Sequence, residues 1–273
     1  MKIPFMKMSG SGNDFILIDH RKPLLKEEQY QAFARKVCRR RVSVGADGLI
    51  LLEPSSKADF KWRFYNSDGS EAEMCGNGGR CAARFAYLKG IAGPSLSFET
   101  LAGILSAEVN GTRVKLEMTK PSGLKLDEKI DVEGTRRVIS SINTGVPHAV
   151  VIVDDLEEVD IARWGRAIRT HPHFAPAGTN VDFIHVEGPS SLAVRTYERG
   201  VEGETLACGT GTVASALIAA FKGWVKSPVS VRTEGGEVLA VHFEMAGQEV
   251  RRVFFEGDVH IIYQAEMWEE AYS

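Results

Sequence analysis

The chain contains one six-residue phrase twice. Met74-Cys75-Gly76-Asn77-Gly78-Gly79 returns as Ala207-Cys208-Gly209-Thr210-Gly211-Thr212, with the cysteines 133 positions apart (208 − 75) in a chain of 273 residues. The correspondence runs on without a gap: Ala83 with Ala216, Ala86 with Ala219, Lys89-Gly90 with Lys222-Gly223. One Cys-Gly-x-Gly would be a weak signal, since any tight turn before a helix could produce it. Two in register, each followed by a helix-length segment ending in Lys-Gly, indicate two similar half-chains, each contributing one cysteine to a single site.

Other pieces match at nearly the same offset. Ser9-Gly10-Ser11-Gly12-Asn13 leads into the apolar run 15–18, and Thr144-Gly145-Val146-Pro147-His148 leads into 150–153, so Asn13 aligns with His148. Helical patterns follow at 26–37 and 161–168. Gly45-Ala46-Asp47-Gly48 matches Gly178-Thr179-Asn180-Val181, each turning into an apolar strand. Asp47 and Asn180 there can simply satisfy turn backbone. Arg63-Phe64-Tyr65-Asn66 matches Arg195-Thr196-Tyr197-Glu198, with the tyrosines facing inward and Asn66, Glu198 and Arg199 at the strand-to-loop ends where functional side chains concentrate. Helices are expected over 80–89 and 213–221, stopped by Gly90 and Gly223. Strand-rich stretches follow each: 97–100 with a hairpin at 109–118, and 231–233 with 238–255. Pro121-Ser122-Gly123 marks the seam, and the strand 259–263 has no place in the second repeat, so it is expected to cross back to the first.

Length permits one large core or two of ordinary size, and the repeat selects two. The formal net charge of −3 offers no general attraction to nucleic acid or acidic membranes. The basic run 35–41 reads as a solvated helix end, or as a lip for an anionic ligand. The N-terminal residues lack the apolar core of a signal peptide, and the apolar run 213–221 is far short of the ~20 residues needed to span a bilayer. The expectation is a cytoplasmic protein whose four cysteines are reduced thiols. With no C-x-x-C pair, no metal site is expected. Cys38 and Cys81 read as packed apolar residues, and His171-Pro172-His173 as a surface loop.

A cysteine just before a helix feels unpaired N–H groups and the positive end of the helix dipole, which favour thiolate. The glycines beside it let those N–H groups approach an anion closely. Two such helix ends facing one another would hold one carboxylate and set a sulfur on each side of its α-carbon. One thiolate could then remove a proton from one face while the opposite thiol delivers a proton to the other. Negative charge developing in the carboxylate would meet fixed dipoles. Two nearby thiols resist ionising together, so one shared proton is the natural resting state. This chemistry requires no cofactor.

The motifs Ser11-Gly12-Asn13-Asp14-Phe15, Asn66-Ser67-Asp68-Gly69-Ser70, Met74-Cys75-Gly76-Asn77-Gly78, Gly178-Thr179-Asn180, Glu198-Arg199-Gly200 and Thr205-Leu206-Ala207-Cys208-Gly209-Thr210-Gly211 resemble those of the diaminopimelate epimerases, in order and over essentially the whole chain. The resemblance implies an α+β fold of two pseudo-symmetric domains, each a mostly antiparallel, barrel-like sheet around a central helix. The expected halves are 1–121, with the tail 263–273 returning to it, and 122–262. It implies a cofactor-independent enzyme interconverting LL- and meso-2,6-diaminopimelate on the route to lysine and peptidoglycan. Cys75 and Cys208 resemble the catalytic pair. Gly76-Asn77 and Gly209-Thr210 resemble the backbone cradle for the reacting carboxylate. Asn13, Asn66, Asn180, Glu198 and Arg199 resemble the substrate-holding side chains, while His148 and Glu198 resemble residues that bias the thiols. A homodimer involving Tyr263 is implied too. Val146 and Gly48 depart from one common version of the pattern, where Asn and Gln stand.

Three rival readings have less support. A proline or hydroxyproline racemase would carry His in place of Asn77 and Asp shortly before the second Cys-Gly, where this chain has Thr205-Leu206-Ala207. Isomerases of the phenazine-pathway type lack the cysteine pair. A thiol hydrolase using one cysteine with His148 as base leaves the repeat unexplained.

Overall fold

The computed structural model describes residues 2–247 and 249–273. Its contacts divide the chain into two units, Met1–Glu117 with Gly257–Ser273, and Met118–Glu256. The seam thus falls before Pro121, and the tail joins the first unit from Gly257, where 121/122 and 262/263 were expected.

In the first unit β1 (Ile3–Gly10) and β2 (Asn13–Asp19) form a hairpin, and α1 (Tyr30–Val37) crosses to β3 (Gly48–Glu53), which runs parallel to β2. β4 (Phe60–Asn66) returns antiparallel, and α2 (Gly76–Leu88) crosses to β5 (Ser95–Thr100), parallel to β4. β6 (Gly103–Asn110) and β7 (Arg113–Glu117) complete the meander.

The second unit repeats this succession. β8 (Ser122–Val132), β9 (Thr135–Asn143) and β10 (Pro147–Ile152) precede α3 (Ile161–Arg169) and β11 (Asn180–Gly188). β12 (Ser191–Glu198), the short β13 (Gly203–Thr205), α4 (Gly209–Phe221), β14 (Val229–Thr233), β15 (Val238–Ala246) and β16 (Glu249–Met267) follow. Residues of β16 from Gly257 onward belong to the first unit, where Val259–Met267 pair with β1. That pairing closes the strand path β1-β2-β3-β4-β5-β6-β7-β16 into a barrel, which leaves no exposed sheet edge. The second unit runs β8-β9-β10-β11-β12-β14-β15-β16.

The strands β2, β3, β10 and β11 are covered on both faces, which is why they read as nearly unbroken apolar runs. In β2, Ile16 and Ile18 pack with Tyr30, Phe33 and Val37 of α1, while Phe15 on the alternate face lies beside Gly78 of α2. In β11, Val181 and Phe183 pack with Ile161 and Ile168 of α3, so Asp182 between them faces α4. Val213, Leu217 and Ile218 of α4 are fully buried, each worth about 1.5–3 kcal/mol.

Two boundaries differ from the sequence reading. The first helix begins at Tyr30, because Glu27–Gln29 forms a 3-10 turn in which the Gln29 side chain accepts from the Lys26 N–H (2.9 Å). The central helices begin at Gly76 and Gly209, four residues earlier than expected (80 − 76 and 213 − 209). Glycine costs about 0.5–1 kcal/mol inside a helix, so both glycine-rich first turns look unhelical by propensity alone. The helix stops do fall at Gly90 (φ +65°) and Gly223 (φ +75°).

Candidate active site

Cys75 and Cys208 each occupy the last extended position before their helix, with φ of −148° and −118°. At α2 the Gly78 N–H donates to Cys75 Sγ at 3.4 Å. At α4 Cys208 Sγ stands 3.5 Å from Thr210 Oγ1. Both sulfurs therefore lie in the first helical turn, where N–H groups have no partner within the helix.

Strand pairing aligns the side chains around each helix start. In the first unit Asn13 opens β2, Asp47 precedes β3 and Asn66 ends β4. Arg80, fully buried, donates to Ser11 Oγ (2.6 Å), to Asn77 Oδ1 (2.7 Å) and to the Asp258 carbonyl (3.2 Å). Asn77 Nδ2 donates to Asn13 Oδ1 (2.8 Å), and Asn13 Nδ2 to Asp47 Oδ2 (3.0 Å). Arg40 donates to the other oxygen of Asp47 (2.9 Å) and to both oxygens of Asp14. The pair of amides is thus held between the Arg80 guanidinium, which meets Asn77, and the Asp47 carboxylate, which meets Asn13. Asn66 lies outside this chain: its Nδ2 donates to Ser70 Oγ (3.0 Å). Burial works to raise the Asp14 carboxyl, but Arg40 and Lys7 outweigh it and hold it below the usual range.

In the second unit His148 opens the body of β10 opposite Asn180 of β11, and Glu198 ends β12. His148 Nδ1 lies 2.7 Å from Asp182 Oδ2, and Nε2 lies 2.9 Å from Thr210 Oγ1 and 3.4 Å from Asn180 Nδ2. Thr196 Oγ1 donates to Asp182 Oδ1 (2.8 Å). Asn180 Oδ1 accepts from the Arg199 backbone N–H (2.8 Å), and the Arg199 guanidinium donates to the Ala177 carbonyl (3.1 Å). His148 thus reaches Cys208 through Thr210.

The helix dipole alone would favour a Cys208 thiolate. Instead burial, followed by the nearby Glu198 and Asp182 carboxylates, pushes this thiol well above the ordinary range, against the opposing pull of the Thr210 hydroxyl. Burial likewise raises Glu198. Cys38 and Cys81 are buried and pushed up to about 12 by desolvation, as packed thiols should be.

The sequence reading passed over three residues. Asp47 looked like turn backbone, yet it anchors Asn13. Arg40 looked like part of a solvated basic run, yet it pairs with Asp14 and Asp47. Asp182, hidden in an apolar strand, underpins His148. The repeat held the signal for two of them: Asp47 aligns with Asn180, and Asp182 with the wholly apolar Leu49 (both at an offset of 133). Gly48, one of the departures from the family pattern, has a local cause. A Cβ there would stand 2.5 Å from the Phe64 ring and 2.9 Å from the Tyr65 carbonyl, leaving no room for a longer side chain. Among the described residues no cluster of His, Cys, Asp and Glu is suited to a metal, and no helix is long and apolar enough to cross a membrane.

The architecture is shared with solved structures of two enzyme types. A phenazine biosynthesis protein of the PhzF family from Bacillus anthracis superposes with a TM-score of 0.73, covering 98% of this chain and 99% of its own, at 18% identity. A hydroxyproline epimerase from Agrobacterium vitis gives 0.72 over 98% and 93%, at 16% identity. At such identities the likeness is one of fold, and it defines the class: a two-repeat α+β chain of the PhzF and hydroxyproline-epimerase type.

Sequence narrows this further. The family model described as Diaminopimelate epimerase matches residues 5–124 and 140–260, one stretch in each repeat. A diaminopimelate epimerase of Aquifex aeolicus is 50% identical over 97% of this chain and 98% of its own length. One of Archaeoglobus fulgidus is 50% identical over 86% and 88%. The chain belongs to the diaminopimelate epimerase family.

Proposed function

We propose that this protein interconverts LL- and meso-2,6-diaminopimelate without a cofactor, with Cys75 and Cys208 as the two acid–base groups. The observation that carries the reading is the recurrence, in both units, of a cysteine capping the glycine-rich start of the central helix. One thiolate takes the α-proton while the other thiol protonates the opposite face. The N–H groups of Gly76-Asn77 and Gly209-Thr210 hold the carboxylate as negative charge develops. Asn13, Asn66, Asn180 and Glu198 supply acceptors for ammonium groups, and Arg199 the cation for the distal carboxylate. His148 and Glu198 bias the protonation of Cys208. A second proposal concerns assembly. Ile261, Ile262 and Tyr263 are exposed on β16, and a second copy of this chain would cover them.

The test is an assay of the purified chain with LL-2,6-diaminopimelate beside L-proline. The meso isomer should accumulate from the first and nothing from the second. Racemisation of proline with diaminopimelate left unchanged would overturn the reading. Sedimentation of wild type against Tyr263→Asp checks the assembly: a dimer turned monomer is expected, and a monomeric wild type would dismiss it.

A further inference from the structure

The Asp182–His148–Thr210 chain corresponds to Asp47–Asn13–Asn77 of the first unit, but it is built of an imidazole and a hydroxyl where that one is built of amides, and its carboxylate comes from a position that is apolar in the first repeat. Asp182 is fully buried, and its two oxygens meet Thr196 Oγ1 and His148 Nδ1. It sits so close to α4 that a Cβ on Gly211 would fall 2.3 Å from its Oδ1. Leu49 occupies its place in the first repeat. A carboxylate accepts only, so Nδ1 of His148 carries a proton, and in the neutral imidazole Nε2 then presents a lone pair. The Asn180 amide agrees with this. The Arg199 backbone N–H occupies its oxygen, which turns Nδ2 as a donor toward the same Nε2.

We propose that Asp182 is a positioning residue that makes the Thr210 hydroxyl a two-position switch for Cys208. With Nε2 as acceptor, the Thr210 O–H points at His148 and its oxygen accepts from the Cys208 S–H. Once Cys208 has given up its proton, a rotation about one C–O bond turns the Thr210 O–H onto the sulfur. Nε2 then keeps the Asn180 N–H. No bond other than the transferred proton's is made or broken, and the sulfur has a partner in both states. The charged and titratable groups that bear on Cys208 are Asp182 on β11, Glu198 on β12 and His148 on β10, besides the α4 N-terminus. Only His148 reaches the sulfur through a hydroxyl.

The inference rests on the epimerase reading for its purpose, yet it can be tested without substrate. In wild type, nitrogen NMR of the full-length protein should show His148 protonated on Nδ1; protonation on Nε2 would overturn the proposal. In Asp182→Asn the new amide still accepts from Thr196 and presents its N–H to the imidazole, so the proton should move to Nε2. The Thr210 hydroxyl is then held toward the sulfur and favours thiolate. The pH midpoint of Cys208 alkylation by iodoacetamide, read by peptide mapping, should fall by about one unit. A through-space effect of the lost charge would act in the same direction, so the decisive comparison is made in Thr210→Val. There the Asp182→Asn shift should shrink to less than half if the route runs through the hydroxyl. A shift of equal size in both backgrounds would overturn the switch, whatever substrate the enzyme proves to use.

Discussion

The two helix starts have the same backbone and opposite polar surroundings. At α2 a buried guanidinium, Arg80, heads a chain of amides, Asn77 and Asn13, that ends on Asp47. At α4 the equivalent chain is Thr210 and His148, and it ends on the buried Asp182. Val213 stands in place of Arg80, and Leu49 in place of Asp182. Amides cannot change their donor and acceptor ends, so the first chain is a fixed scaffold. A hydroxyl and an imidazole can, so the second can follow a proton on and off its cysteine. Duplication supplied two equivalent thiols, and divergence of the surrounding side chains made them unlike.

The largest effects should come from removing what the halves share. Cys75→Ala and Cys208→Ala should each lower epimerisation by about a thousandfold or more while leaving the far-ultraviolet spectrum and melting temperature near wild type. A variant retaining a tenth of the activity would dissolve the equivalence. Next comes the feature only the first unit has. Arg80→Met removes the donor to buried Asn77 and to the part-buried Ser11 hydroxyl and Asp258 carbonyl, and should cost about 3 kcal/mol by urea unfolding. A loss under 1 kcal/mol would mean that water replaces the guanidinium there.

A smaller contrast comes from one glycine position. A Cβ at Gly211 collides with Asp182, whereas at Gly78 the nearest neighbour is Ile50 at 3.4 Å. Gly211→Ala should therefore destabilise by about 1–3 kcal/mol. Gly78→Ala should stay within about 1 kcal/mol of wild type, helped by alanine's better helix propensity. Equal losses in both would remove the claim that Asp182 dictates its glycine.

The smallest effect is on pH dependence. Because the folded Asp14 carboxyl lies below its unfolded value, its contribution is present above about pH 4 and disappears as the pH falls through the folded value. Wild type should thus lose more stability than Asp14→Asn as the pH falls from about 5 to about 3. Parallel acid-unfolding curves would show that Arg40 and Lys7 do not discriminate the charged form.

Much of this was legible before any coordinates. The 133-residue echo located both helices, both cysteines and the glycine stops, because tight turns and caps demand particular residues at particular places. The asymmetry was harder to see. Asp182 sits between Val181 and Phe183, so it reads as a polar interruption in a core strand, and only the three-dimensional alternation shows that it faces α4. Arg80 is the first residue of the helix expected over 80–89, where nothing in the sequence marks it for burial, yet it is fully buried. Helix onset was misplaced for a related reason: glycine propensity argues against a helix that tertiary packing and the capping cysteine nevertheless start.

The most direct measurement follows isotope from solvent during the first turnovers of LL-2,6-diaminopimelate in D2O. With one thiol for each face, the proton removed stays on one sulfur and the one delivered comes from the other. Deuterium should then appear in the inverted carbon of the meso product while recovered LL substrate stays unlabelled. Label entering unreacted substrate as fast as product would mean that a single exchangeable base serves both faces, and the two-thiol account would fail.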